Sequence, residues 1–282
     1  MSSFKSWWVL LLLLSLVAAP GARAQDDDPI KHVLRIYHRD IPDGLELYAE
    51  NQQGTDLTVE VELDAKNVVS SPPLPTKFII EGHQTRTIAR VTRDDPKQSW
   101  RCSYRWHWCY GRNDANHDPQ AVYELPYASG QKYKIVQGFH GTFSHFGQDD
   151  FALDFGMPEG SQVMAARAGT VVFVCQRFSE GAPQEYYRNR VNTVRIKHDD
   201  GTMAEYCHFR FNGVEVKEGE RVQVGHLLGY SGHTGYAAGP HLHFLVYKAV
   251  DGHHRQGFPI VFKVQGESEP LILQEGRVYT HP

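Results

Sequence analysis

Short alternations of apolar and polar residues, each bounded by glycine, proline, asparagine or aspartate, run through most of the chain. No stretch after the amino-terminal two dozen residues sustains the 3.6-residue apolar spacing of a helix. A chain patterned this way buries its apolar faces by stacking sheets. In the first half the strand-like runs are Val33–Tyr37, Leu45–Ala49, Leu57–Leu63, Lys77–Ile80 and Thr85–Val91, with Asp43-Gly44 and Gln53-Gly54-Thr55 as hairpin turns. Their spacing, near ten residues, predicts a small β-sandwich. Ala121–Leu125 resumes the pattern after a polar stretch, and the breaker-rich Tyr127–Gly130 marks the expected domain boundary. Beyond it, Lys134–Phe139, Ala152–Phe155, Gly169–Cys175, Asn192–His198, Thr202–Phe209 and His241–Tyr247 each fit a strand. The expectation is a mainly β protein: an amino-terminal β-sandwich-like domain over 25–127, a second β domain over 128–265, and a tail, 266–282, that packs as an extra strand or stays mobile.

With 282 residues, 41% hydrophobic and 22% charged, the chain is too apolar for a disordered protein and long enough for two domains. The amino terminus reads as a secretory signal over 1–24. Lys5 precedes an apolar run from Trp7 to Ala19, and Pro20-Gly21 leads to Ala22-Arg23-Ala24, an A-x-A cleavage pattern. That run falls short of the roughly 20 residues that span a bilayer, so the expected mature chain is secreted and has no membrane span. Removing Lys5 and Arg23 with the signal takes the formal charge from −4 to −6. An acidic chain lacks the cationic face that phosphate neutralisation needs, which argues against nucleic acid as a partner.

Four cysteines, an even number, suit an oxidising compartment. Cys102 and Cys109 have a spacing that could bridge a small hairpin. Cys175 and Cys207, at the ends of two strand-like runs, are left as either a cross-strand pair or buried thiols. Trp106 and Trp108 alternate on one strand, more in keeping with core packing than with sugar stacking.

Among sixteen histidines, placement matters more than number. His241 and His243 flank Leu242, so on a strand both imidazoles share one face while Leu242 and Phe244 point to the core. Asp154 lies inside the apolar run Phe151–Phe155, where a carboxylate needs a partner or a metal. His145, in Phe143-Ser-His-Phe-Gly147, and His208, in Tyr206-Cys-His-Phe209, are further polar residues in apolar surroundings.

Taken together, Asp154 with Gly156-Met-Pro-Glu-Gly160, Val163-Met-Ala-Ala-Arg-Ala-Gly-Thr-Val171, Tyr206-Cys-His208, Gly232-His-Thr-Gly235 and Gly239-Pro-His-Leu-His-Phe244 resemble the LytM/lysostaphin-type zinc endopeptidases of family M23 over roughly 137–247. The resemblance implies an antiparallel β-sheet catalytic domain with an open groove, and one Zn2+ held by Asp154 and His243. It makes His208 and His241 the histidines that act on water and substrate, their individual roles unassigned. It implies peptidoglycan cross-links or stem peptides as substrate and the periplasm as location. Such enzymes carry a histidine four residues before the aspartate as the remaining ligand, but here that position is Asp150. Either His145 serves, across a longer hairpin, or Asp150 replaces it. His145 is put first because Ser-His-Phe-Gly keeps a His-x-Gly element and zinc prefers imidazole. Two histidines and one aspartate leave the fourth tetrahedral position open, as a catalytic site requires. The rival reading is an inactive domain of the same fold that binds cell wall or activates an amidase. The presence of Asp154, His208, His241 and His243 weighs against it. The polar segment 176–190 is expected to form a wall of the groove, and the amino-terminal domain to dock a protein partner, shield the groove or orient the chain on the wall.

Overall fold

A computed structural model describes residues 33–282. The expected signal segment lies outside the described residues. The first half holds β1 (Leu34–Ile41), β2 (Gly44–Asn51), β3 (Leu57–Lys66), β4 (Val68–Ser71), β5 (Thr76–Ile80), β6 (Thr85–Arg93) and β7 (Arg101–Tyr110). The second holds β8 (Val122–Glu124), β9 (Lys132–Gln137), β10 (Leu153–Gly156), β11 (Gln162–Met164), β12 (Gly169–Cys175), β13 (Thr193–Lys197), β14 (Met203–Cys207), β15 (Phe209–Val214), β16 (Arg221–Val222), β17 (Leu227–Ser231), β18 (Leu242–Ala249), β19 (Arg255–Gly257), β20 (Val261–Lys263) and β21 (Val278–Thr280). Among the described residues there is no α-helix, only short 3-10 turns, in keeping with the mainly β expectation.

The first half forms a four-stranded sheet, β1-β2-β6-β4, and a three-stranded one, β5-β3-β7. Alternation decides which faces meet. Leu45, Leu47 and Ala49 of β2 point inward while Glu46, Tyr48 and Glu50 do not, and they join Leu57, Val59, Val61 and Ile80 in one apolar cluster. Asp43 takes a positive φ of 60° in the tight β1–β2 turn, where aspartate is among the better-tolerated residues. The turn expected at Gln53-Gly54-Thr55 is instead a crossover, because β2 and β3 lie in different sheets.

The second half is built on a nine-stranded sheet with the path β16-β12-β13-β14-β18-β10-β9-β21, extended by β19 on β18. Its inner face, including Phe155, Val194, Tyr206 and Phe244, packs under the small β11-β17-β15 sheet through Val163, Phe209 and Leu228. Its outer face is covered by the first half, so Ala152, Val172, Met203, Leu245 and Tyr247 belong to the amino-terminal cluster. All of β14 is consequently buried, on both faces. At this seam Gly252 meets the His107 carbonyl so closely that a Cβ would sit 2.5 Å from the oxygen. His253, although exposed, packs against His107 with ring centroids 3.7 Å apart.

Some expectations need correction. Tyr123, Leu125 and Tyr127 are fully buried in the second core, and β8 pairs in parallel with β20, so the seam lies before residue 121 and not at 127. The 266–282 segment is integral: β21 pairs with β9, and the Tyr279 carbonyl accepts a 2.7 Å bond from the Tyr127 hydroxyl. All four cysteines are free thiols. Cys102 and Cys109 sit on one continuous strand, roughly 23 Å apart at strand rise, and cannot bridge. Cys175 and Cys207 both oppose Thr193, one on either side. Two strand spacings, roughly 9.5 Å, exceed the reach of a disulfide. Burial pushes the Cys109 thiol up to about 11 and raises Cys207 as well, keeping both protonated.

His198 is buried with Nδ1 donating to the Ala168 carbonyl at 2.8 Å, while Nε2 has no hydrogen-bond partner. Burial pushes its pKa down to about 4 from 6.5. Between those values the unfolded chain binds the proton and the folded one does not, so stability is complete above pH 6.5 and falls toward pH 4. At pH 5 the loss relative to pH 7 is about 2 kcal/mol from this residue. His198→Asn keeps a donor near the Nδ1 position and cannot titrate. Urea unfolding at pH 7 and pH 5 should show a smaller acid loss in the variant by that amount; equal losses would refute the assignment.

Candidate metal centre and cleft

The sheet register assembles the site. Across the strands from β12 to β9, Cys175, Thr193, Cys207, His243, Asp154 and Gln137 are successive register partners, one from each strand. Asp154 and His243 are therefore direct neighbours on the outer face, while Leu153, Phe155, Leu242 and Phe244 fill the inner core. The alternation read for His241-Leu242-His243 holds, with His241 just before β18 begins.

His145 arrives from the loop after β9 and is completely buried. Its Nδ1 donates to the Gly138 carbonyl at 2.9 Å. Its Nε2 lies 3.1 Å from Asp154 Oδ1, and His243 Nδ1 lies 3.0 Å from the same oxygen. Ligand atoms of these three residues all fall within 4.8 Å of one another. Asp150 is not in this group. Because a carbonyl only accepts, Nδ1 of His145 carries the ring proton, and a neutral ring turns a bare Nε2 lone pair toward a carboxylate. That arrangement calls for a cation between them, and His145 Nε2 is an orphaned buried atom in hydrogen-bond terms. The donor set, two imidazoles and a carboxylate with one imidazole steadied by a backbone carbonyl, fits zinc. Burial alone would raise the Asp154 pKa, but the imidazoles of His145, His243 and His241 gathered around it hold it far below the usual carboxylate range.

Two more imidazoles stand beside this group. His241 Nδ1 donates to the Gly239 carbonyl at 2.8 Å, and its Nε2 is 3.8 Å from Asp154 Oδ2. His208 sits at the break between β14 and β15 with φ 71°, its Nδ1 donating to the Thr234 carbonyl. The His208 and His241 rings are 4.3 Å apart. Burial, with His241 and His243 nearby, pushes His208 down to about 3, and burial lowers His241 also.

Asp154, His208, His241 and His243 line a cleft of about 1100 Å³. One wall comes from the first half, where Trp106 is 39% exposed and both it and Trp108 face the cleft, so core packing is not their whole role. Another comes from 176–190, through Phe178 and Arg188, where a wall was expected. Phe143 stacks on Tyr236 at 5.8 Å, and the Arg188 guanidinium lies 4.5 Å from the Tyr236 ring centre. His140, by contrast, packs on Phe151.

Sequence reasoning missed Asn192. Completely buried, it donates through Nδ2 to the carbonyls of Phe178, Phe209 and Arg210 and accepts from the Phe178 amide. Its own carbonyl accepts from the His208 amide at 2.9 Å, so it ties the wall segment to His208. Glu205 was also missed, though the argument used for Asp154, an acid inside an apolar run, applies to it. It is buried between Arg195 and Arg255.

Residues 149–256 match the sequence model of peptidase family M23. The similarity to family M23 lies in this segment of the chain. It is 35% identical over 91 residues to the peptidoglycan DD-endopeptidase ShyA of Vibrio cholerae, covering 32% of this chain and 18% of that protein. Over 100 residues it is 35% identical to the glycyl-glycine endopeptidase ALE-1 of Staphylococcus capitis, covering 35% and 24%. Lysostaphin of Staphylococcus simulans is 30% identical over 131 residues, covering 46% and 23%. The matches span about a quarter or less of these relatives' lengths. A solved structure of lysostaphin aligns at 27% identity over 44% of this chain and 47% of that one, with a TM-score of 0.33. The M23 match contains Asp154, His208, His241 and His243 and begins after His145.

Proposed function

We propose that this chain is a zinc-dependent endopeptidase that hydrolyses peptide bonds in peptidoglycan cross-links or stem peptides. The observation that carries the reading is the convergence of His145 Nε2 and His243 Nδ1 on one Asp154 oxygen, with His208 and His241 alongside. The M23 match and the named activities of its relatives support the substrate class. Lys5, the apolar run to Ala19 and Ala22-Arg23-Ala24 support export, and we assign the periplasm as the place of action.

His145, Asp154 and His243 would hold the metal. When bound, zinc supplies Lewis acidity to the scissile carbonyl and acidifies water at the site. His208 and His241 each spend Nδ1–H on a backbone carbonyl, so only Nε2 can exchange a proton. In the neutral state both Nε2 atoms are acceptors. One of them takes a proton from the attacking water as the new C–O bond forms. As imidazolium it returns the proton to the amine nitrogen as the C–N bond breaks. A protonated Nε2 is also the donor the oxyanion needs.

The test is incubation of residues 25–282 with purified cross-linked peptidoglycan, with zinc measured on the same sample and products identified by mass. New amine ends, with about one zinc per chain as a single site demands, are the expected result. Zinc-loaded protein that yields no new amine ends would overturn the catalytic reading and leave a wall-binding role.

A further inference from the structure

The turn directly after His145, residues 146–150, needs a fastening that its own residues do not provide. Eight residues separate His145 from Asp154, and their centre, Gly147–Asp149, is a 3-10 turn with no buried residue. Phe146 is 65% exposed and Gly147 takes a positive φ. Ala152 and Leu153 seat the far end of the loop in the core, but residues 146–150 bury no side chain. A turn with so little core opens readily, yet it must hold His145 Nε2 within about 0.5 Å of its working position.

Arg255, on β19, supplies the fastening. Its backbone N–H donates to Gln148 Oε1 at 3.0 Å. Its Nη2 donates to Asp149 Oδ1, and its Nη1 to Glu205 Oε1 at 2.8 Å. Glu205 is anchored in turn by Arg195 from β13, and the Arg255 guanidinium lies 4.9 Å from the Tyr247 ring centre. Arg255 and Glu205 are 19% and 5% exposed in their side chains, Asp149 34%. The chain thus runs from the rigid sheet floor to the ligand loop. A planar guanidinium can bridge two carboxylates at fixed angles where an ammonium cannot.

We propose that Arg255 is a positioning residue for His145, fixing the metal centre through the Glu205–Arg255–Asp149 chain. This rests on the metal-binding reading above.

The measurement is zinc affinity by chelator competition, with the cobalt(II) d–d spectrum as a second readout of ligand geometry. Asp149→Ala cuts only the exposed end and leaves the Glu205–Arg255 pair intact, so the fold survives. It should weaken zinc binding by about tenfold and alter the cobalt spectrum, with the apoprotein melting temperature unchanged, as outer partners of metal ligands do. Arg255→Lys should resemble Asp149→Ala and not restore affinity. The two changes combined should cost no more than the larger alone, since they break one connection. Arg221→Met, which breaks the surface pair with Asp199 on the far edge of the sheet, should leave zinc affinity unchanged. If Asp149→Ala and Arg255→Lys bind zinc as the wild type does while His145→Ala does not, the positioning role is refuted and the metal reading stands. If the wild type binds no zinc, the metal reading falls, and the positioning role with it.

Discussion

Asp154→Ala should strip the protein of zinc and lower peptide cleavage by a thousandfold or more, whereas His208→Ala and His241→Ala should lower cleavage as severely and keep the metal. The difference follows from the geometry. Asp154 Oδ1 is the single oxygen on which His145 and His243 both converge, so its removal leaves two imidazoles without the charge that draws a cation between them. His208 and His241 hold their Nδ1 protons to the protein and offer Nε2 to the reacting groups. Losing a general acid–base removes about 10² to 10⁴ in rate. Loss of the metal forfeits several kcal/mol of charge stabilisation, each 1.4 kcal/mol being about tenfold. Zinc content after dialysis, paired with product mass, distinguishes the two classes. Stoichiometric zinc in Asp154→Ala, or its loss in His208→Ala, would sink the assignment.

Removing residues 33–120 should not release a faster enzyme but destroy the folded one. Leu245, Tyr247, Met203 and Val172 are at most 5% exposed, and they owe this to the first half. Uncovering four such side chains costs on the order of 6–12 kcal/mol at about 1.5–3 kcal/mol each, comparable to the whole stability of a typical protein, roughly 5–15 kcal/mol. The fragment should be insoluble, or soluble with strong ANS binding and no cooperative melting transition. A fragment that melts sharply at the parent temperature would show that the first half is a separable accessory.

The chemistry was more legible than the architecture. His241, His243 and Asp154 could be read because strand alternation is local: neighbours in sequence dictate which face each takes. His145 was harder, since its approach to Asp154 depends on how an eight-residue loop closes, and spacing alone left Asp150 as a rival. The seam before residue 121 was hidden because Tyr123, Leu125 and Tyr127 look like any strand. Their partners, β20 and Tyr279, lie well over a hundred residues away. Cys102 and Cys109 suggested a hairpin because nothing between them says whether a ten-residue run bends. Pairing with β3 along its whole length keeps it straight. Asn192 acts through backbone carbonyls, which leave no trace in side-chain pattern.

The transverse row from Cys175 to Gln137 ties chemistry to folding fidelity. Side chains alternate with a period of two, so slipping β10 by one residue would send Asp154 into the space now filled by Phe155 and Tyr127, and lift Leu153 into the cleft. An unpaired carboxylate there would cost several kcal/mol, enough to make the misaligned sheet a negligible fraction of the population. The same aspartate that draws the imidazoles together therefore acts as a proofreading mark on strand alignment, and a chain that has folded wrongly at this row cannot also be one that works.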